Sequence, residues 1–289
     1  MYFNRQYRIA IWTVSLLVAI VLFTIIFLYG IYVPSEPYLI PINHRVNNAL
    51  VMGLVISLAS PAIVEFNNSR WLRGVEDNIP RLLRDVTEAV TSGVPLVEAL
   101  EDASTGDYGP VSKPLEAAMV RFSLTSDFEW ALTWLGERLK RPAAKRMCSI
   151  LIEAYESGGK IIDILGSSVE LFTSLAEYRE EKASNMRPYI FVVYLGVFVF
   201  LTISCVVLVQ FLGPLAAAAM NPQEGQAALL HNVLDMDYYK SILFWAAVIE
   251  ALTGGIVAGK MSGGRIKAGL VHSVLLLLIV IAFFNSFRV

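Results

Sequence analysis

Long apolar stretches separated by one long hydrophilic block dominate the pattern of this chain. Four windows are predominantly apolar and long enough to cross a bilayer core as α-helices: Ile9–Tyr32, Tyr189–Leu212, Ile242–Ala258 and Leu270–Phe287. A fifth window, Val46–Phe66, contains polar residues such as Asn47, Ser57 and Glu65. Polar groups in a span need partners on neighbouring helices rather than lipid. The pattern predicts about five membrane-spanning helices and leaves open whether the second crosses completely.

The hydrophilic block opens with a helical pattern. Apolar residues from Val75 to Val90 recur at helical spacing, and Glu76 and Asp77 suit the N-terminus of a helix that begins near Val75. The stretch SGVPLVEAL then indicates the end of this helix, a tight turn and the start of a second helix. Gly93 suits the C′ position, which needs a positive φ, and Pro95 suits the first position of the next helix. Three apolar residues of that helix are expected to face the first: Leu96, Leu100 and Ala103.

Four more helices are predicted in the block. One runs over Pro114–Phe122, and a capping box formed by Ser126 and Glu129 starts the next. Another begins at Pro142 and ends at Gly158-Gly159, and the last runs from Lys160 to Pro188 at the membrane. We therefore expect an all-α polytopic protein with a six-helix domain between its second and third spans. The expected division is 1–66, two spans; 67–187, the cytosolic domain; and 188–289, three spans.

Composition and charge support a membrane protein and set its orientation. Of the residues, 56% are hydrophobic and 17% charged, and the mean hydropathy is +0.58, too apolar for a soluble globular domain. With the N-terminus inside, the inner segments hold 20 Lys and Arg residues and the outer ones 3. Basic residues concentrate on the cytoplasmic side. We therefore expect a cytosolic N-terminus and block, an external C-terminus, and two outer segments at 33–45 and 213–239.

Several function classes find no support in the sequence. The block has 19 acidic and 15 basic residues, unlike a nucleic-acid-binding surface. Gly159-Lys160 and Gly259-Lys260 lack the rest of a P-loop. His44, His231 and His272 are far apart, and Cys148 and Cys205 form no metal-binding or disulfide pattern. We expect no catalytic residue, cofactor or metal, and interpret both cysteines as small apolar residues.

Glu250 is the sharpest polar feature within a span. It lies near the middle of the fourth predicted span, where an ionisable group is costly and often functional. The neighbouring glycines Gly255, Gly259 and Gly263 recur every four residues, a spacing that allows helices to approach closely. We favour a structural interhelical hydrogen bond for Glu250, with ion or proton transport as the alternative and His272 as a candidate partner.

Four motifs together resemble a known family. They are Ile79–Leu100 with its SGVPLVEAL, the Tyr108-Gly109-Pro110 turn, the Ala131-Leu132 pair and Glu156–Leu165, with the glycine-rich Thr253–Ser273 following. In this order they resemble the F-domain inner-membrane platform proteins of type II secretion and type IV pilus machines, especially the archaeal pilus and archaellum type. Bacterial members usually carry two F domains, and Thr125 stands where their second Ala-Leu motif usually has a glycine.

The resemblance implies a non-enzymatic platform in the cytoplasmic membrane. It would couple a hexameric cytosolic secretion ATPase to insertion of pilin-like subunits into a filament, and a homodimer would supply two F domains. Membrane lipid is an expected partner and nucleic acid is not. Residues expected to be structural in the family motif are Gly93, Pro95, Leu96, Ala99, Leu100, Gly158 and Gly159.

The ATPase contact is expected on basic residues, although an ordinary solvated surface would look the same. The candidates are Arg141, Lys145, Arg146, Lys160, Lys260, Arg265 and Lys267. Two other functions remain open at this stage: an ion-coupled secondary transporter that uses Glu250, and a membrane-anchored signalling scaffold.

Overall fold

The computed structural model describes residues 5–28, 40–215 and 236–286. Those ranges contain helices and turns and no strand, which confirms the all-α class. Their α-helices, α1 to α9, are Arg5–Leu28, His44–Thr91, Leu96–Ser104, Ser112–Thr125, Phe128–Leu139, Pro142–Ser157, Ile161–Val206, Met236–Gly263 and Gly269–Ser286. Short 3-10 turns occupy Gly109–Val111, Gly158–Lys160 and Ile266–Ala268, and the π-helical turn Val207–Leu212 follows α7. Most of the two predicted outer segments, with His231, lies outside the described residues.

The helices form two compact units. One, called the bundle, holds residues 67–185, and the other, called the span unit, holds residues 5–66 and the described residues after 185. Both α2 and α7 contribute residues to each unit. A helix start near Val75 and a helix end at Pro188 are therefore wrong predictions. Pro188 lies inside α7. A proline removes one backbone hydrogen-bond donor, but the hydrogen bonds on either side of Pro188 keep the helix continuous.

The core of the bundle draws apolar side chains from all six of its described α-helices. On α2, Ile79, Leu82 and Leu83 are fully buried, so the stripe seen in the sequence is the core face. Full burial of one such side chain is worth about 1.5–3 kcal/mol. Cys148 belongs to this core, and burial raises the pKa of its thiol to about 12. The thiol therefore stays protonated and behaves as a small apolar group.

The turn between α2 and α3 has the geometry expected of SGVPLVEAL. Gly93 has a φ of +97°, and two hydrogen bonds close the turn, from Gly93 N to Val90 O at 3.0 Å and from Val94 N to Ala89 O at 3.1 Å. This pair of bonds is the Schellman motif. Pro95 lies one position earlier than predicted, because its ψ of 145° makes it the N-cap of α3. The buried residues of α3 are Leu96, Ala99, Leu100 and Ala103.

The turn between α4 and α5 corrects the predicted capping box. Ser126 has a φ of 56° and ends α4 in the left-handed region. The N-cap of α5 is Asp127, whose carboxylate accepts a hydrogen bond from Trp130 N at 2.8 Å. Ser and Asp are about equally good N-caps, so a Ser-Asp pair does not reveal which one starts the helix. The Ser126–Glu129 box is therefore wrong by one residue.

The turn between α6 and α7 spans Gly158–Lys160, so α7 begins one residue later than predicted. Pro142 stands in the first turn of α6, as predicted. Gly158 ends α6 with a φ of +55°, and the next α-helix begins at Ile161. Of these two positions, only 158 requires a glycine for its backbone conformation. Gly159 has no positive φ, and a β-carbon there would meet no other atom within 4 Å.

Five helical segments of the described chain are long and apolar enough to cross a membrane: Gln6–Ile26, His44–Thr91, Pro142–Leu215, Met236–Gly263 and Ile266–Ser286. The polar residues of the second span find partners on neighbouring helices. Asn47 Nδ2 donates to Ser241 Oγ at 3.1 Å, and Asn47 Oδ1 accepts from Trp245 Nε1 at 3.0 Å. The hydroxyl of Ser15 donates to the backbone carbonyl of Ser57. Neighbouring helices thus satisfy the polar side chains of Asn47 and Ser15.

The glycines of α8 permit the close helix contact that their spacing predicted. A β-carbon at Gly255 would collide with Ser273, and one at Gly259 would collide with the backbone of Gly269. Ser273 Oγ also donates to the backbone carbonyl of Leu252 at 3.0 Å. The start of α9 therefore lies directly against the α8 backbone.

Candidate functional site

The Tyr108-Gly109-Pro110 turn lies along one stripe of α2. Pro110 Cγ would be 2.9 Å from a β-carbon at Gly74, and Tyr108 Oη donates to Asp85 Oδ2 at 2.7 Å. Gly109 takes a φ of +56° between these two contacts. The motif thus fixes the approach to α4 against α2 through one tight apolar contact and one charge-assisted hydrogen bond.

Tyr108 is the most strongly perturbed phenol of the bundle among the described residues. It is only 5% exposed. Its burial, then its hydrogen bond to Asp85, raise its pKa to about 12, and the nearby Arg81 works in the opposite direction. At neutral pH the phenol is therefore a proton donor that positions the turn. This arrangement does not suit it to act as a base.

A carboxylate with two arginines joins three helices of the bundle. Glu76 on α2 contacts Arg141 twice, at 2.8 Å from Oε1 to Nε and at 2.9 Å from Oε2 to Nη2. Arg179 Nη1 on α7 lies 3.1 Å from Oε2. The side chains of Glu76 and Arg141 are each 15% exposed. Because α2 begins at His44, the predicted helix-dipole role of Glu76 is wrong, and its actual role is to hold α6 and α7 against α2.

The predicted ATPase-contacting residues of the bundle do not form one patch. Arg141 was expected to be exposed, but it is half-buried on Glu76. Lys145, Arg146 and Lys160 are exposed. Helical rise from Lys145 to the end of α6 is about 18 Å, so Lys160 lies beyond the opposite end of this helix. The bundle therefore presents two separate basic positions.

The other three predicted contact residues lie in the span unit, around the connection from α8 to α9. Lys260, Arg265 and Lys267 are all exposed. Lys267 Nζ is 3.6 Å from Glu65 Oε1, and Arg8 Nη2 is 2.6 Å from the same oxygen. Glu65, with a side chain only 7% exposed, thus ties α1 and this connection to α2.

Glu250 does not form the interhelical bond that the sequence favoured. Its Oε2 is buried and has no hydrogen-bond partner among the described residues. Its Oε1 would lie 3.9 Å from a β-carbon at Gly196, so the side chain faces α7. The candidate partner His272 instead has its Nδ1 2.8 Å from Tyr194 Oη.

Sequence reasoning missed the roles of Glu65 and Glu76. The only available signal for Glu65 was a carboxylate inside an otherwise apolar window, which predicts a partner on another helix. Glu76 gave no signal, because its two partners lie far along the chain. In the parts of the chain that the structure describes, no group of three or more His, Cys, Asp or Glu residues is placed to hold a metal.

Comparison with known protein families finds one family model that matches part of the chain. Residues 82–209 match the family model described as Type II secretion system (T2SS), protein F. The chain carries a type II secretion F domain. The F-domain match begins within α2, includes α3 to α7 and ends in the π-helical turn. It therefore confirms the resemblance drawn from the motifs, which lie mostly within it.

One relative is a protein of Methanocaldococcus jannaschii described as uncharacterized. It is 28% identical to this F-domain protein over 232 residues, which cover 80% of this chain. The chain spans about a third of that relative's length, since the match covers 36% of it. No solved structure gives a significant match.

Proposed function

We propose that this F-domain protein is the non-enzymatic membrane platform of a type IV pilus-like machine, which builds a pilus, an archaellum or a type II secretion filament. In this role it couples a hexameric cytosolic secretion ATPase to the insertion of pilin-like subunits into the filament. The single observation that carries the proposal is the F-domain match over residues 82–209 in a chain with five helical segments able to span a membrane.

The helix pattern supports mechanical coupling. Both α2 and α7 continue without a break from the span unit into the bundle. Continuous helices transmit displacement better than loops, because every turn is held by its own hydrogen bonds. Within the bundle, Glu76 joins α2 and α7 through Arg179. We propose that a motor acting on the bundle moves both helices together.

The proposed orientation has the N-terminus and the bundle in the cytosol and the C-terminus outside. It rests on the excess of Lys and Arg in the inner segments. The proposed partners are the ATPase, pilin-like subunits, membrane lipid and a second copy of the chain. A homodimer would supply a second F domain, and a monomeric mass in a native-size measurement in detergent would refute it.

Charge reversal tests the motor contact. We propose Lys145 and Arg146 as one contact and Lys160, Lys260, Arg265 and Lys267 as further candidates. The double variant Lys145→Glu/Arg146→Glu should lower co-purification of a hexameric secretion ATPase from native membranes. Lys182→Glu, another exposed basic residue of the bundle, is the matched control. Equal recovery of the ATPase with both variants would reject this contact, and absence of any such ATPase from wild-type complexes would reject the platform role.

One observation keeps a second function in view. The buried Oε2 of Glu250, with no partner among the described residues, suits an ion-coupled secondary transporter. Glu250→Gln separates the two functions. If the protein is a platform, the Glu250→Gln variant still supports filament assembly, and neither the wild type nor the variant transports solute into liposomes. If it is a transporter, the wild type transports solute and the variant does not.

A further inference from the structure

Two interhelical turns lie together at one end of the bundle. The ring of Phe128, at the start of α5, lies 5.8 Å from that of Phe122 near the end of α4 and 4.4 Å from that of Tyr155 near the end of α6. The three-residue turn Gly158–Lys160 leads directly from α6 to α7. The ends of α4 and α6 and the starts of α5 and α7 therefore form one surface, called the tip.

The tip is remote from the Glu76 cluster. Arg141, just before α6, and Arg179, well along α7, both contact Glu76, so α6 and α7 run antiparallel. The helical rise of α6 from Pro142 to Ser157 is about 22 Å. A partner bound at the tip would thus leave the Glu76 cluster uncovered.

Exposed apolar side chains concentrate around the tip. Seven large apolar residues of the bundle are exposed in the described structure, and five of them lie on the last turns of α4 and α6 or the first turns of α5 and α7: Val120, Leu124, Trp130, Tyr155 and Ile162. Leu124 is 80% exposed, and Tyr155 and Ile162 are each 48% exposed. Such a concentration on a water-facing domain marks a site of interaction with another molecule.

The α4–α5 groove extends this patch. Arg121 on α4 lies over the ring of Trp134 on α5, with Cζ 3.7 Å from the ring centroid. One helical turn closer to the connecting turn, Thr125 and Trp130 occupy the corresponding positions on the two helices. The end of α4, which carries the exposed Leu124, and the exposed Trp130 therefore both lie at the tip.

The turn between α6 and α7 adds accessible backbone. Gly158 and Gly159 have no atom within 4 Å of the position that a β-carbon would take. Gly158 is explained by its φ of +55°, but nothing in the turn itself requires glycine at Gly159. Another protein can therefore approach the main chain closely between Tyr155 and Ile162.

The charge around this apolar surface indicates the occupant. Five carboxylates lie on the helix turns that form the tip: Asp127, Glu129, Glu153, Glu156 and Asp163. Two basic residues, Arg121 and Lys160, lie on the same turns of the described chain, and the guanidinium of Arg121 lies over the ring of Trp134. This excess of negative charge disfavours the surface of an anionic membrane, and it disfavours the tip of a second copy because like charges would meet. It favours a surface rich in Lys and Arg.

We propose that the tip is a docking surface for a protein partner that presents an apolar side chain flanked by basic residues. The apolar group packs against Leu124, Tyr155 and Ile162, and the basic residues face the carboxylates. Of the basic positions of the bundle proposed above as motor contacts, Lys145 and Arg146 lie away from this surface, near the start of α6, and Lys160 lies on it. The inference rests on the bundle alone and does not depend on the platform role.

Photocrosslinking of the full chain in native membranes tests this proposal. The probe p-benzoylphenylalanine replaces Leu124 or, separately, Ile162, two exposed positions on different helices, so failure of one variant to fold does not end the test. Tyr178, 63% exposed on α7 near Arg179, receives the probe as the control. Mass spectrometry then identifies the crosslinked peptide, and each probe is also combined with Glu153→Gln/Glu156→Gln or with the matched pair Glu177→Gln/Glu180→Gln.

The expected adduct at both tip positions is a net-positive peptide from another protein, absent from the Tyr178 control. One exposed ion pair changes an equilibrium constant by up to about fivefold. Loss of both Glu153 and Glu156 should therefore lower the yield by about twofold to 25-fold, whereas the α7 pair should leave it unchanged. Adducts to lipid, to a second copy or to an acidic peptide would overturn the proposal. So would a yield no higher than at Tyr178, or one insensitive to the tip substitutions.

Discussion

Removal of the Glu76 carboxylate should destabilise the bundle more than any other single charge change on α2. Glu76→Gln leaves Arg141 and Arg179 without their shared anion, and the side chains of these arginines are only 15% and 34% exposed. Removing one partner of a buried ion pair costs about 3–5 kcal/mol. Because Arg179 is partly hydrated, we expect the lower end, about 3 kcal/mol. For a domain of this size the melting temperature should fall by about 10 °C.

Two measurements test this loss of stability: the melting temperature of the protein in detergent and the rate of amide hydrogen exchange. We expect faster amide exchange at the start of α6 and along the last bundle turns of α7, where the two arginines lie. Asp77→Asn is the matched control, since Asp77 is the next residue on α2 and is exposed. In the Glu76→Gln background, Arg141→Met should cost little further stability, because its partner is already gone. If Glu76→Gln lowers the melting temperature no more than Asp77→Asn, the cluster does not hold the helices together.

Three further predictions concern backbone and buried groups. Gly93→Ala should cost about 1–2 kcal/mol of unfolding free energy because its φ is +97°, whereas Gly159→Ala should be neutral in the same chemical-denaturation assay. Gly259→Ala should push α9 away from α8, so two cysteines engineered across this contact should form a disulfide more slowly under mild oxidation. Gly166→Ala, which meets no neighbour, should leave that rate unchanged. The pKa of Tyr108 is raised to about 12, so its contribution to stability is complete below about pH 10 and disappears as the pH rises through 12. The stability difference between the wild type and Tyr108→Phe should shrink over that range, and a difference independent of pH would contradict the assignment.

Local signals in the sequence were sufficient for the parts of the fold that depend on neighbouring residues. The apolar stripe of α2 predicted its buried face, and Gly93 predicted a turn with positive φ, because both depend only on residues a few positions apart. Helix ends were less certain. Ser126 and Asp127 can each cap a helix, and the tertiary contact of Phe128 with Phe122 and Tyr155 accompanies the start at Asp127 rather than Ser126.

The ionic contacts could not be predicted in the same way. Glu76 and Arg141 are 65 residues apart in the chain, and nothing in their local sequence connects them. Arg141 was therefore interpreted as an exposed contact residue when its guanidinium is engaged within the bundle. For the other candidate contacts, exposure of Lys145 and Lys160 is compatible with binding, and their role stays a prediction.

The distribution of the bundle core along the chain has a consequence for biosynthesis. The core begins at Val75 on α2 and needs Leu165 and Phe172 on α7 to be complete, so it cannot close until the first part of α7 has been made. From Phe172 to the end of α7 at Val206, elongation at about 5–20 residues per second takes about 2–7 s. Helical domains with mostly local contacts fold in microseconds to milliseconds. The bundle therefore has time to fold before the remainder of α7 and the last spans reach the membrane, and a slow-folding variant would meet the insertion machinery with its core still open.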